Sequence, residues 1–564
     1  MAERPSPHLP GRYLAQALAT AAVRALVTDW RNSGLARWFA ERPRPTGFRQ
    51  APLDPRPTSK AAGQRILDGT FRLTGQSLTL GLHGDPWDRP NPGRAYAEAL
   101  HRFEWLGDLL AAGPDGVAEA LRLLLAWRRT FGRWNAFSWS PEIMSRRVVT
   151  LSCAGRAIAA RASEAEAGLI TANLARQARS LLNQGDRSNA AERAVAAAIA
   201  GAALDGVAGR RLLERSLRSL VKALPHTLRA DGGHATRRPD AALELLLDLQ
   251  VLEASLEHLG RAMPDLATRA IDSLAAAIRF ATLADGALAV QQGGVTRTPA
   301  DVASARAQDE VGERPTLARC NGYQRLDSAR LQVMVDCAAP PTGPWSTQAR
   351  LQPLSLEVLA DGVRLIASAS GRTLEDASSL AVGDHPTGRR LKGFAGRVLG
   401  ARLIEAATRI DTQRHEGPGA VWLDVESHSW IRRFGLLHHR RLFLDTAMGE
   451  LRGEDRLTPT AKAQGPDGRH FVAYVLRFQL YPGVNALVSQ NNRSVLLRAP
   501  GAATAWVLRN DLLDVVVEPA AGPERLGQQV VLRGLRRADS GARVRWKLGP
   551  AASRSPVDGS GPSP

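Results

Sequence analysis

The sequence predicts a multidomain protein, α then β: a toroid or solenoid of helix hairpins followed by an antiparallel β-sandwich. Three observations predict it. The chain has 564 residues, enough for two or three domains. Up to about residue 285, Ala/Leu-rich segments repeat apolar residues at i, i+3 and i+4, the period of an amphipathic helix. Beyond that point short alternating runs take over, with turn residues between most of them.

In order, residues 1–60 read as a partly helical N-terminal segment and 61–285 as the helical domain. Residues 286–549 read as the β-sandwich, and the Ser/Pro/Gly-rich 550–564 as a disordered tail. Within the helical part, 95–112 carries Leu100, Phe103, Leu106, Leu109 and Leu110 on one stripe, and 117–127 repeats it with Leu121, Leu124 and Trp127. Further helices are expected over about 142–163, 166–183, 190–206, 209–229, 240–260 and 264–284. Their connections are short, so successive helices should be antiparallel neighbours. Strands are expected within 354–370, 420–430, 440–446, 471–480, 494–499 and 528–534. Asp361-Gly362, Pro466-Asp467-Gly468 and Pro482-Gly483 supply turns. Two such halves imply a groove where they meet, a natural place for a long ligand.

Composition narrows the function classes. Hydrophobic residues make up 44% and charged residues 23%, which is globular and not disordered. Three cysteines, Cys153, Cys320 and Cys337, exclude a disulfide framework, and none forms a C-x-x-C pair. The net charge is +19, which invites a polyanion: nucleic acid, acidic polysaccharide or an anionic membrane face. Only five of the 74 cations are lysine, a skew that a GC-rich coding bias explains as well as selection does. Nucleic-acid binding rests on charge alone, without a helix-turn-helix, RNA-binding or zinc-finger pattern. The longest apolar run, Ala194–Leu204, is too short to span a bilayer. The stretch YLAQALATAAV after Arg12 reads as an amphipathic first helix or as a weak export signal.

Several motifs in order resemble the heparinase II/III family of polysaccharide lyases. They are LHRFEWLGDLLAAG (100–113), SWSPEIMSRRV (138–148), DGGHATRRP (231–239), GYQRLDSARLQVMVDCAAPP (322–341), LHHRRLFLDTAMGELRGEDRL (437–457) and LRFQLYPGV (476–484). The resemblance implies an incomplete (α/α) toroid followed by a β-sandwich, an acidic, uronate-containing polysaccharide as partner, and a setting in the cell envelope or periplasm, the cytoplasm being the alternative. It also implies cleavage by β-elimination. That chemistry needs a cation or amide on the uronate carboxylate, a base at C5 and an acid at the bridging oxygen, with no metal required in principle.

Candidates stand at the matching positions. His234, held by the Asp231-Gly232-Gly233 turn, is a catalytic candidate, with Arg237 and Arg238 beside it as a carboxylate clamp. The alternative is a turn with a solvated histidine and two surface arginines. Tyr323, also catalytic, and Arg325, substrate-binding, stand where the sandwich begins; a packed strand tyrosine is the alternative. In LHHRR, alternation puts His439 and Arg441 on one face and His438 and Arg440 on the other. His439 is the third catalytic candidate and Arg441 a substrate ligand, against a structural charge network. Asn189 joins the ligands, as do Trp87 and Trp139, which border prolines and turns and are expected to be exposed for stacking on sugar rings. Trp105 and Trp127 are expected in the core.

The sequence also departs from the family. No His follows Asn183 or Asn189, and no Tyr follows Pro239. No His precedes the strand in QARLQPLSLEV (348–358), and SSLAVGDHPT (378–387) stands in place of Ala-His-Ser-Thr. Gln479-Leu480-Tyr481-Pro482 replaces His-Leu-His-Pro, so the structural zinc of some relatives is not expected, nor any cofactor. Two readings stay open: a divergent lyase, or a catalytically inactive acidic-glycan-binding protein on the same scaffold.

Overall fold

The computed structural model describes residues 11–33, 42–184, 188–307, 317–369, 376–383, 385, 387–406, 409–460, 470–511, 513–520 and 527–551. The expected disorder of the tail beyond Ala551 and the expected Pro466-Asp467-Gly468 turn lie outside the described residues.

Helices Pro114–Phe131, Pro141–Ala159, Glu164–Leu182, Ala190–Ala203, Gly206–Thr227, Pro239–His258 and Asp265–Ala281 form where the apolar period runs. Their hub is Ala190–Ala203. This longest apolar run of the chain is a core helix, buried from Ala194 to Ala203 and packed against Pro141–Ala159, Glu164–Leu182, Gly206–Thr227 and Pro239–His258. Small side chains allow this approach: a Cβ on Gly201 would stand 2.5 Å from the Leu213 backbone nitrogen.

The expected 95–112 helix is two helices, Arg94–Arg102 and Leu106–Ala111. Phe103 ends the first in the left-handed region (φ 59°). The break turns its ring into a cluster with Trp87, Trp105 and Trp127. Pro299–Arg306 is a further helix, packed on Pro239–His258.

The β part is built on two large antiparallel sheets, with a small one pairing Arg389–Arg390 and Leu403–Glu405. One runs in the order Ile410–Gly417, Ala420–Trp430, Leu436–Asp445, Glu450–Pro459, Ala542–Pro550, Trp506–Asn510, Ser494–Arg498, Asn485–Val488. The other runs Val515–Pro519, Gln528–Arg537, Phe471–Leu480, Val363–Ala367, Leu356–Ala360, Leu331–Asp336, Tyr323–Asp327, Arg319–Cys320, with Leu380–Val382 also on Phe471–Leu480. Their inner faces share one core, which joins Val333, Val358 and Leu476 of the second sheet to Leu423, Leu442 and Leu457 of the first. The predicted Asp361-Gly362 turn closes a two-residue hairpin between Ala360 and Val363, with positive φ at both residues.

Candidate functional site

The DGGH turn lies where the two domains meet. Gly233 has no room for a side chain, because a Cβ there would overlap the Asn321 side chain. Asp231 accepts the Asn321 backbone N–H at 2.6 Å, which ties the turn to the sandwich. His234 is fully buried. Its Nδ1 bonds Thr236 Oγ1 at 2.7 Å and its Nε2 bonds Glu192 Oε1 at 3.0 Å, with Trp345 edge-on to the ring. The alternative of a solvated histidine is therefore excluded, and so is an imidazole with a free nitrogen facing a groove.

Arg237 is fully buried as well, and its role as a carboxylate clamp is corrected. Its guanidinium pairs with Asp336 at 2.5 Å and donates to the carbonyls of Asn321, Gly322, Ala338 and Ala339. It also lies over the Tyr323 ring, 4.6 Å from the centroid. Burial acts to lower its pKa, but Asp336 more than offsets this and the pKa is raised, so the cation is firmly held. Tyr323 donates its hydroxyl to the Arg237 carbonyl at 2.8 Å, and burial pushes that phenol far above its usual range. Arg325 caps the C-terminus of Asp265–Ala281 through the Phe280 and Thr282 carbonyls, each at 2.7 Å. Arg238 pairs with Asp240 and donates to Gln348. The structure thus brings His234, Arg237, Arg238, Tyr323 and Arg325 to one interdomain seam, as structural ties. Two cavities in the seam measure about 20 Å³ beside Gly233 and Tyr323 and about 10 Å³ beside Asp336, and each has room for a water and not for a sugar chain.

The remaining candidates lie elsewhere. Asn189 donates to Glu142 at 3.0 Å. Trp87 and Trp139 are buried, not exposed, at 7% and 4%. Asp85 caps the short turn Pro86–Asp88 through the Trp87 N–H. The Trp87 indole then donates to the Leu123 carbonyl, and that of Trp139 to Phe131. Trp105 and Trp127 are core residues, as expected.

The first two motifs of the family resemblance prove to be packing. His101 accepts the Trp127 indole N–H at 3.0 Å and is held neutral, its pKa lowered to about 3 by burial and by Arg147. Arg147, wholly buried, donates to Gln177, the His101 carbonyl and the Ser138 carbonyl and sits 4.5 Å over Trp127. Burial lowers its pKa to about 9.

Alternation in Leu436–Asp445 is as expected, but the candidates fall on the outer side. His439 is half-exposed, 3.4 Å from Glu426, and Arg441 pairs with Asp424. Neither reaches the seam. Their neighbours His438 and Arg440 are buried on Asp455, which also accepts the Trp546 indole. The signal for this was parity: Leu436, Leu442 and Leu444 share the side of His438 and Arg440.

Sequence reasoning also missed a buried charge cluster. Asp54 and Arg56, in a Pro-rich stretch that resembles a linker, join Arg146, Glu244, Asp248 and Arg297. Three cations meet three carboxylates there. Burial pushes Glu244 up, but Arg56 and Arg297 hold it far below the usual range. Asp411, Glu426 and His428 offer ligand atoms within 4.8 Å of one another on the first sheet's surface. A concavity of about 760 Å³ is on that sheet's outer face, lined by Trp422, Phe443, Arg441, Arg452, Arg509 and Lys547 among others.

Comparison with known proteins agrees with this architecture. Residues 311–547 match the family model described as Heparinase II/III-like, C-terminal. FtsZ-localized protein C of Caulobacter vibrioides is 43% identical over 560 residues, 96% of each chain. The crystal structure of heparinase III superposes with a TM-score of 0.67 at 13% identity, covering 96% of this chain and 91% of that one. Heparan sulfate lyase HepC of Pedobacter heparinus gives 0.53 at 14%, covering 96% and 91%. At such identities these two likenesses speak for the fold: a helical toroid and a β-sandwich.

Proposed function

Because the chain belongs to the heparinase II/III family, we propose that it is a non-catalytic member that uses the lyase scaffold as a binding platform in cell division. One observation carries this reading. His234, Tyr323 and Arg237 are each buried and each bonded within the protein. β-Elimination needs a base, an acid and a cation that reach one substrate in one cavity. Here those groups join the domains instead. The division setting is supported by the relative, whose name states that it localizes with FtsZ. That setting favours the cytoplasm over the envelope, and the role calls for no cofactor.

The test has two arms. Incubated with heparan sulfate, alginate and polygalacturonate, the purified protein is expected to generate no ultraviolet absorbance of unsaturated uronate. Absorbance that His234→Ala abolishes would establish a divergent lyase and overturn the proposal. A fluorescent fusion is expected to gather at the FtsZ ring, and the protein to co-sediment with FtsZ polymers. A diffuse fusion and no co-sedimentation would remove the division role.

A second reading, acidic-glycan binding without cleavage, is favoured by the outer-face concavity. Trp422 and Phe443 form an aromatic pair there, 4.9 Å apart, with Arg452 over the Phe443 ring. Such a platform with flanking cations suits an acidic sugar. Loss of saturable uronate binding in Trp422→Ala would support it.

A further inference from the structure

The helix Gly206–Thr227 divides into an apolar and a cationic side. Its inner side, with Leu212, Leu213, Leu220 and Leu224, is buried and packs on Ala190–Ala203. Its outer side carries Arg211, Arg215, Arg218 and Lys222, all exposed. At about 100° per residue these four fall within about 60° of one another, and the row from Arg211 to Lys222 rises about 16 Å. Arg210 is exposed beside the row, and His226 extends it by one turn. Glu214 is the one carboxylate on the helix.

Exposed arginines elsewhere in the chain find a carboxylate close by in sequence. Arg94 pairs with Glu98, Arg409 with Asp411 and Arg537 with Asp539. The row on Gly206–Thr227 is different. Among the described residues, Arg211, Arg218 and Lys222 have no carboxylate within 4.0 Å. Arg215 donates to the neutral Asn183 at 2.7 Å. Like charges three and four residues apart repel and destabilise a helix, and a bound anion relieves that repulsion.

The side chains around the row select the anion. The helix has no Phe, Tyr or Trp, and Val207 is its one exposed large apolar residue. Such a face cannot stack unpaired bases or sugar rings, and it offers no apolar ridge to a bilayer. Guanidinium groups do suit phosphate, which they bind bidentately. A nucleic-acid duplex carries one charge about every 1.7 Å of its axis, so a straight row of this length faces several phosphates without reading a base. The net charge of +19 draws a polyanion toward the surface from a distance.

We infer that the outer face of Gly206–Thr227 binds the phosphate backbone of a nucleic-acid duplex without sequence preference. This inference stands on the helix alone. It depends neither on the cell-division reading nor on the concavity of the first sheet.

The test is fluorescence anisotropy of a labelled DNA duplex titrated with the full chain at several salt concentrations. Four phosphate contacts should give a slope of log K against log salt of about −3.6, a loss of about a hundredfold between about 50 and 200 mM. A second duplex of unrelated sequence should bind equally well. Arg211→Gln, Arg218→Gln and Lys222→Gln should each flatten the slope by about 1. Reversing all three, Arg211→Glu with Arg218→Glu and Lys222→Glu, should remove binding. Arg215 stays in place because it holds Asn183. The thermal unfolding curve should not move, since the three side chains are exposed and lack carboxylate partners. Arg94→Gln with Arg537→Gln, at cations already paired, should leave affinity unchanged. Absence of salt-dependent binding at low salt, or undiminished binding of the triple variant, would overturn the inference. So would competition in which heparan sulfate or polyglutamate binds more tightly than the duplex, the mark of a glycan or an acidic protein as the partner.

Discussion

Replacing Arg237 with methionine separates a structural tie from a substrate clamp. The change keeps the apolar stem and removes the guanidinium. Asp336 then loses a partner at 2.5 Å in a site where both side chains are almost wholly inaccessible. The carbonyls of Asn321, Gly322, Ala338 and Ala339 lose donors. Breaking a buried pair by removing one member costs about 3–5 kcal/mol, because the other charge stays buried. Asp336 keeps Gln292 at 2.7 Å and the Ala338 N–H at 3.3 Å, so the loss belongs near the lower end, about 3 kcal/mol. Urea unfolding followed by circular dichroism measures it as a lowered midpoint. Adding Asp336→Asn removes the stranded charge and should recover part of the loss, giving a coupling energy in a double-mutant cycle. A single variant within about 0.5 kcal/mol of the parent that has instead lost affinity for an acidic glycan would refute the reasoning.

Other outcomes follow from the same geometry. His101 is neutral in the fold, with its pKa lowered to about 3. The unfolded chain therefore binds a proton that the folded one refuses between about pH 6.5 and 3, and stability falls as pH falls through that window, by up to about 1.4 kcal/mol per unit. His101→Gln, whose amide oxygen can still accept the Trp127 N–H, should flatten this slope in denaturation measured from pH 7 to 4. Gly201→Ala should cost about 1–3 kcal/mol in the urea midpoint, since its Cβ meets Leu213 backbone and not a movable side-chain end. His438→Ala should cost about 1–3 kcal/mol, the loss of one buried hydrogen bond to Asp455 at 2.7 Å, while Arg440 and Trp546 keep that carboxylate paired. His439→Ala, one residue on and half-exposed, should stay within about 0.5 kcal/mol by the same assay.

Periodicity made the architecture legible. Apolar spacing located the helices and their short connections, and alternation located most long strands, because both patterns follow from which side of an element meets the core. The break at Phe103 was hidden, since its ring serves the same core whether the helix continues or turns. Alternation divided His438 and Arg440 from His439 and Arg441 correctly. It could not by itself say which pair faced inward, though the leucines of matching parity could have. The candidate site was misread for a different reason. Arginine, histidine and tyrosine beside glycines look alike in sequence whether they await a ligand or complete a domain seam. What decides is whether their donors find carbonyls across the chain. For Arg237 those carbonyls lie 84 to 102 residues away, a separation that no local motif encodes. Asp54 and Arg56 were passed over for the same cause, their partners being Arg146, Glu244 and Asp248.

The Arg237 tie grips its neighbour chiefly through main-chain oxygens. Side chains across the seam are therefore free to diverge while the relative pose of the lobes persists. Heat should also find no separate melting point for either lobe: calorimetry should show a single endotherm, because the sandwich cannot loosen without stranding a cation rooted in the helical half.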